Sequence, residues 1–232
     1  MTAGNHYFLL EGGAEFGGRM SDPDLRAIEL AGGFQAPIAI LPTAAALDHN
    51  HLRAGGNGQR WFESLGASNI DVVPVTDPVS ANNPDLAARV FAARLIYLLG
   101  GFPRYLCQTL SDSRVWLAAL EANQNGAVIA GSSAGAMVLC EYYYDPYEGG
   151  LLPGLNLFRN ICVLPHHDRF GKDWAPKLRS LIPQATLVGI DEQTGMIHDA
   201  SDDVWTVLGA GGVTLYWGDH IEAHLRGGQF QL

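Results

Sequence analysis

Residues 126–140 read Gly-Ala-Val-Ile-Ala-Gly-Ser-Ser-Ala-Gly-Ala-Met-Val-Leu-Cys. The apolar run from Ala127 to Ala130 predicts a buried strand, and after Gly131-Ser132-Ser133-Ala134-Gly135 apolar residues resume at helical spacing. A serine centred in G-x-S-x-G between a strand and a helix is the pattern of a nucleophile elbow. Such a turn strains the serine's backbone, Gly131 and Gly135 let neighbouring backbone pass close by, and Ala134 leaves space above the hydroxyl. Ser133 Oγ is then expected at the carboxyl edge of a sheet, beside the positive end of a helix. Read alone, these residues fit equally an ordinary strand–turn–helix with small residues for packing. Their position directly after an apolar strand favours the elbow.

Working outward, strand-like and helix-like runs alternate. His6–Leu10, Pro37–Leu41, Ile70–Val75 and Leu95–Leu99 are apolar runs of strand length. Between them, Asp22-Pro23-Asp24 opens an amphipathic helix to Leu30, Arg60–Leu65 reads as helical, Asn83-Pro84 caps a helix through about Ala93, and Arg114–Ala122 is helical again. Near-continuous apolar strands in β-α-β-α order predict an α/β fold, a doubly wound, mostly parallel sheet with helices on both faces. Beyond residue 185 the runs are short and closely spaced (Thr186–Asp191, Gly195–Asp199, Val204–Leu208, Val213–Trp217, Ile221–Leu225), which predicts antiparallel ribbons on the sheet's edge. Gly209-Ala210-Gly211-Gly212 precedes a strand-like run rather than a helix, so it reads as a hairpin or bulge and not a phosphate loop. No repeat, linker or low-complexity tract divides the chain, and a single domain over 1–232 is expected.

Composition narrows the function classes. With 47% hydrophobic and 16% charged residues the chain has the balance of a compact globular protein. A formal net charge of −10 argues against nucleic acid or an anionic membrane as partner. Cys107, Cys140 and Cys162 lie in apolar stretches without paired spacing, which suggests reduced thiols and a cytoplasmic location. Met1-Thr2-Ala3-Gly4-Asn5-His6 places no basic region before its apolar run, and no run reaches membrane-spanning length, so neither leader nor anchor is expected.

A serine nucleophile at neutral pH needs a base, and the base needs an orienting acceptor. Of eight histidines, His6, His220 and His224 sit in peripheral strand-like runs, and His49 and His51 in a polar loop. His166 is better placed. Apolar Ile161–Leu164 ends at Pro165-His166-His167-Asp168, and sites in open α/β sheets form beyond the carboxyl ends of strands. Asp145, Glu148, Asp168, Asp191 and Glu192 are all candidates for the acid. The strand-end argument favours Asp191-Glu192, after Thr186–Ile190, and strand alternation sends those two side chains to opposite sides. The residues alone leave the choice between them open. A metal site built from His49, His51, His166, His167 and Asp168 is a weaker alternative, because no H-E-x-x-H or H-x-H-x-D spacing is present. No metal or other cofactor is expected.

With serine, histidine and acid signals in that order at three strand ends, the chain resembles the S51 serine peptidases, the family of the aspartyl dipeptidase peptidase E and the cyanophycinases. Leu10-Glu11-Gly12-Gly13-Ala14-Glu15 is similar to the family's Gly-Gly-x-Glu opening loop, and Ile40-Leu41-Pro42-Thr43-Ala44-Ala45 to its Leu-Pro-Thr-Ala-Ser strand end. Gly66-Ala67 before Val72-Val73-Pro74-Val75 resembles its next helix and strand, and Tyr97-Leu98-Leu99-Gly100-Gly101 its Gly-Gly-(Asn/Asp) loop. Gly131-Ser132-Ser133-Ala134-Gly135-Ala136 is similar to its Gly-x-Ser-Ala-Gly-Ala elbow. The resemblance implies a class I glutamine amidotransferase-like fold, with Ser133 as nucleophile, His166 as base and Glu192 as acid. Asp145 or Glu148 lies nearest to a further acid considered catalytic in the family.

In that reading the oxyanion hole uses the backbone N–H of Ala134 and one from Gly100-Gly101. Phe102-Pro103-Arg104 stands where the family has a polar stretch, His167 where it has an aromatic residue, and its arginine-rich segment is reduced to Arg169 and Lys172. Phe102, Arg104, His167 and Asp168 are the expected substrate contacts, with an apolar wall favouring apolar or mixed residues and disfavouring cyanophycin. The expected function is a serine peptidase, dipeptidase or exopeptidase, acting on small peptides, with a homodimer as one assembly to consider. Alternatives are a cyanophycinase-like exopeptidase, a non-catalytic binding module on an amidotransferase-like scaffold, and the metal-dependent hydrolase.

Overall fold

The computed structural model describes residues 6–199 and 204–232. Residues 1–5, from which a leader was judged absent, lie outside the described residues. The apolar runs form a parallel core: β1 (Tyr7–Glu11), β2 (Ile38–Leu41), β3 (Ile70–Val72), β4 (Leu95–Leu98) and β5 (Val128–Ser132) pair in the order β1-β5-β4-β2-β3. Their continuous hydrophobicity has a geometric cause, since alternate residues face opposite sides of a sheet that is covered on both. Leu10, Leu41, Leu98 and Ile129 enter the core on one face, and Leu9, Ile40, Tyr97 and Val128 that on the other.

The second of these faces is covered by α1 (Ser21–Leu30) and α2 (His51–Ser64), through Ala27, Ile28 and Phe62. The first is covered by α3 (Pro78–Ala81), α4 (Pro84–Phe91), α5 (Pro103–Leu110), α6 (Arg114–Gln124) and α7 (Ala134–Leu139). Asn83 caps α4, its side chain accepting the Asp85 N–H at 2.8 Å. Among the described residues no helix is long and apolar enough to cross a membrane.

The remaining strands form the expected antiparallel edge in part and a separate sheet in part. After the hairpin β6 (Tyr142–Asp145) and β7 (Gly150–Pro153), β8 (Ile161–Leu164) and β9 (Thr186–Ile190) pair in parallel. β10 (Thr194–Asp199) lies antiparallel beside β1, and β11 (Val204–Gly209) and β14 (Gln229–Phe230) extend the main sheet beyond it. β12 (Gly212–Trp217) and β13 (His220–Leu225) join β9 and β8 in a separate four-stranded sheet. That second sheet is itself two-sided. Val163, Val188 and Val213 bury against the main core, while Cys162, Leu164 and Leu187 face Leu178 of α8 (Ala175–Leu181). Gly209–Gly212 is therefore the passage between two sheets, not a hairpin.

Helix α2 also begins well before Arg60, taking in His51 from the expected polar loop. Its glycines are contact points rather than breaks, for a Cβ on Gly55 would lie 2.5 Å from Val72 Cγ1. Helices α5 and α8 each carry a proline in the first turn.

Under the carboxyl end of β1 lies a buried polar knot. Tyr97 of β4 donates a short hydrogen bond to Glu11, and Trp61 of α2 donates from Nε1 to Asp24 of α1 at 2.7 Å. Both carboxylates are fully buried. Burial above all, and then the neighbouring Asp24, hold Glu11 well above the usual carboxylate range. Burial pushes Asp24 up to about 7, against the lowering effect of its bonds to Trp61 and Glu11. A raised folded-state value means that the native state holds the proton more tightly than the unfolded chain. Stability linked to Asp24 therefore falls as pH rises from 3.8 to about 7 and then levels off. Asp24→Asn is expected to flatten the slope of Tm against pH across that window, and an unchanged slope would assign it to other groups.

Candidate active site

Ser133 stands between β5 and α7 with φ 49 and ψ −110, a conformation that a side-chain-bearing residue adopts only under constraint. The flanking glycines supply that constraint. A Cβ on Gly135 would overlap the Leu98 carbonyl of β4, and one on Gly131 would lie 2.5 Å from the Gly135 carbonyl carbon. The Ser133 N–H donates to the Glu11 carbonyl at 3.0 Å, tying the elbow to β1.

Ser133 Oγ lies 3.1 Å from His166 Nε2, and His166 Nδ1 lies 2.8 Å from Glu192 Oε1. His166 also has a positive φ of 48, and its N–H donates to the Gly12 carbonyl at 2.7 Å. Its ring is packed flat. Phe170 stacks on it at a centroid distance of 5.0 Å, and a Cβ on Gly13 would overlap it. Glu192 is held from behind, its N–H donating to Asp168 Oδ1 at 2.8 Å and its Oε2 accepting from Arg169 Nε at 3.2 Å. The bond from His166, ahead of the Arg169 contact, keeps Glu192 below the usual carboxylate range and so ionised.

The Asp191-Glu192 pair resolves as alternation requires, each acid meeting a different histidine. Asp191 Oδ1 lies 3.3 Å from His167 Nδ1, whose Nε2 meets the Tyr216 hydroxyl at 2.7 Å. His167 is thus buried against Gly189 and Tyr216 and offers nothing to a substrate. Asp168 faces the Glu192 backbone instead of a pocket. Arg104 is similarly withdrawn: it begins α5 and forms ion pairs with Asp145, at 2.9 Å, and with Glu148. That arrangement occupies both acids considered as a further catalytic group. Among the described residues no group of three or more His, Cys, Asp or Glu side chains is placed to hold a metal ion.

Beside the elbow opens a cavity of about 710 Å³ whose lining includes Glu15, Gly100, Gly101 and Phe102. Its far wall is one face of α2, bearing Arg53, Asn57, Arg60 and Trp61. Arg53 and Arg60 share this wall because α2 runs from His51 and not only from Arg60. Gly101 is pressed against Ala44, in the short turn after β2, whose carbonyl a Cβ would overlap. The Gly100 N–H points at Glu15 Oε1, 3.4 Å away, so Gly101 and Ala134 are the better placed of the expected oxyanion donors.

Most of the chain is similar to proteins of one family. The sequence profile of peptidase family S51 matches residues 8–203. The chain is 28% identical over 197 residues to the cyanophycinase of Trichormus variabilis, covering 80% of this chain and 64% of that protein, just under two thirds of its length. It is 28% identical over 218 residues to that of Geminocystis herdmanii, covering 89% and 79%. The crystal structure of a peptidase from an acI-B1 actinobacterium superposes with a TM-score of 0.89 at 29% identity, covering 99% of this chain and 98% of that one. A putative peptidase E from Listeria monocytogenes shares the fold, with a TM-score of 0.59 at 17% identity over 95% of this chain and 98% of that one. The elbow, the paired sheets and the profile match converge: this chain belongs to peptidase family S51.

Proposed function

We propose that the chain is a serine peptidase of small peptides in which Ser133, His166 and Glu192 form the catalytic triad. The observation that carries this reading is the unbroken line of contacts, 3.1 Å and 2.8 Å, from hydroxyl through imidazole to carboxylate. Ionised Glu192 keeps the proton on His166 Nδ1, which leaves Nε2 free to take the Ser133 proton as Oγ attacks the scissile carbonyl. The N–H groups of Ala134 and Gly101 stabilise the developing oxyanion. His166 then returns the proton to the leaving amine, and a water activated by the same imidazole releases the acyl group. Asp168, Arg169 and Phe170 act on the triad by fixing Glu192 and the imidazole plane.

Substrate selection falls to the cavity beside the elbow, whose size suits a short peptide. Phe102 supplies an apolar surface, while Arg53 and Arg60, with Asp48 and Glu15, add charges of both signs, a lining suited to mixed residues as well as apolar ones. All of this is proposed to work within one domain. The three buried, unpaired cysteines fit the reducing cytoplasm.

Ser133→Ala is expected to abolish labelling by a fluorophosphonate probe and to lower peptide hydrolysis at least about 1,000-fold, whereas Ser132→Ala keeps both. A labelled, active Ser133→Ala protein would end the serine reading. Gly13→Ala tests how the imidazole is held. At φ 111 an added methyl would press into the His166 ring, so kcat/KM should drop by about 100-fold, with activity kinetics and Tm read side by side. Unchanged kinetics would show that the ring does not depend on this contact.

A further inference from the structure

The outermost strand of the four-stranded sheet has one edge and one face without a partner. β13 ends the order β13-β12-β9-β8, and among the described residues no strand pairs with its outer edge. It carries no proline, lysine or bulge, the devices that keep exposed edges from pairing. Alternation puts Ile221, Ala223 and Leu225 on the face that bears Tyr216 of β12 and Leu187 of β9. Helix α8 covers this face over β8 and β9 through Leu178. At β13 the face is open, with Ile221 60% and Leu225 73% exposed.

Glu222 and His224 lie on the other face. His224 stacks on Phe230 at a centroid distance of 4.6 Å, and its Nε2 lies 3.2 Å from Glu222 Oε1. The strand, His220-Ile221-Glu222-Ala223-His224-Leu225, is self-complementary. When two copies of a strand pair antiparallel about a two-fold axis, facing residues share a face, so a residue on the axis meets itself. Three centres keep most of the strand paired. Centred on Glu222, two carboxylates meet on the axis. Centred on His224, two imidazoles meet and Ile221 falls opposite Gly227, past the end of the strand. Centred on Ala223, Ile221 of each copy faces Leu225 of the other, and Glu222 faces His224. With the Glu222–His224 contact inside each strand, carboxylates and imidazoles then alternate around a square.

We propose that β13 is a homodimer interface, in which two copies of the chain pair antiparallel with Ala223 on the two-fold axis. The two four-stranded sheets become one continuous sheet of eight strands. The edge N–H and C=O groups gain partners, and the exposed Ile221 and Leu225 side chains leave water against each other. A strand of another sequence would satisfy the backbone equally well. The Ile–Leu and Glu–His pairs, each made twice in a single register, are what select a second copy of this chain. Ser133, His166 and Glu192 follow β5, β8 and β9, so each site is built within one chain and the interface does not depend on the serine-peptidase reading.

Sedimentation of the full chain over a range of concentrations should show a reversible dimer. Ile221→Lys puts a cation into both apolar pairs at once and should weaken the dimer at least about tenfold. Circular dichroism and Tm, read on the same samples, separate a lost interface from a lost fold. Register is read by cross-linking, because the three native cysteines are buried. Facing Cα atoms of an antiparallel pair lie about 4.5–5.5 Å apart, within disulfide reach. Under mild oxidation with diamide Ala223→Cys should link to itself, and Ile221→Cys only when mixed with Leu225→Cys. A monomer at every concentration would leave the edge to a peptide or a different protein and overturn the proposal, as would a folded Ile221→Lys variant that dimerises like the wild type. Self-linking by Ile221→Cys alone, with Ala223→Cys unlinked, would overturn the register.

Discussion

Two backbone hydrogen bonds at Gly12 and Gly13 hold the sheets together where the site forms. The Gly12 carbonyl accepts from His166 and the Gly13 carbonyl from Gln193, so the end of β1 touches the residues that follow β8 and β9. No side chain fits this seam: a Cβ on Gly12 would run into the carbonyls of Ile190 and Asp191. Ser133 follows a strand of the main sheet, and His166 and Glu192 follow strands of the smaller one. Their 3.1 Å meeting therefore depends on how closely two separately built layers approach, and the glycine pair sets that approach.

The acids around this seam carry different charges because their surroundings differ. Glu192 is partly exposed and faces an imidazole and a guanidinium, which favour its ionised form. Glu11 and Asp24 lie in the interior, where desolvation favours the neutral form and Tyr97 and Trp61 each donate to one oxygen of the pair's carboxyl groups. Glu15 is intermediate, desolvated yet open to the cavity on one side. A proton gradient of environment thus runs from the knot under β1 to the catalytic edge. Structural acids sit at one end of it and the acid facing the imidazole at the other.

Charge placement also separates pocket from scaffold on the substrate side. Arg104 follows the glycine pair directly in sequence, yet its two carboxylate partners fasten the β6–β7 turn to the start of α5. Phe102, which lines one end of the cavity, packs against Tyr147 of the same turn at a centroid distance of 4.7 Å. Arg53 and Arg60, far away along the chain, meet the same cavity because α2, which covers one face of the main sheet, also lines it. The proposed recognition surface thus includes a helix face as well as the loop beside Ser133.

Much of this was legible in the linear chain. Strands buried on both faces write themselves as unbroken apolar runs, and the elbow's glycines mark where backbones nearly touch, so the parallel core and the location of Ser133 could be read directly. Strand ends located His166 and the acidic pair, and period-two alternation required the two acids to face apart. The second sheet, the early start of α2 and the burial of His167 were not legible. An apolar strand has the same local pattern whether it extends one sheet or begins another, and a glycine breaks a helix or seats it depending on what lies opposite. Whether a histidine faces Tyr216 or a substrate is decided by residues far from it in sequence. Local residue pattern determined which groups could react; long-range packing alone decided which of them meet.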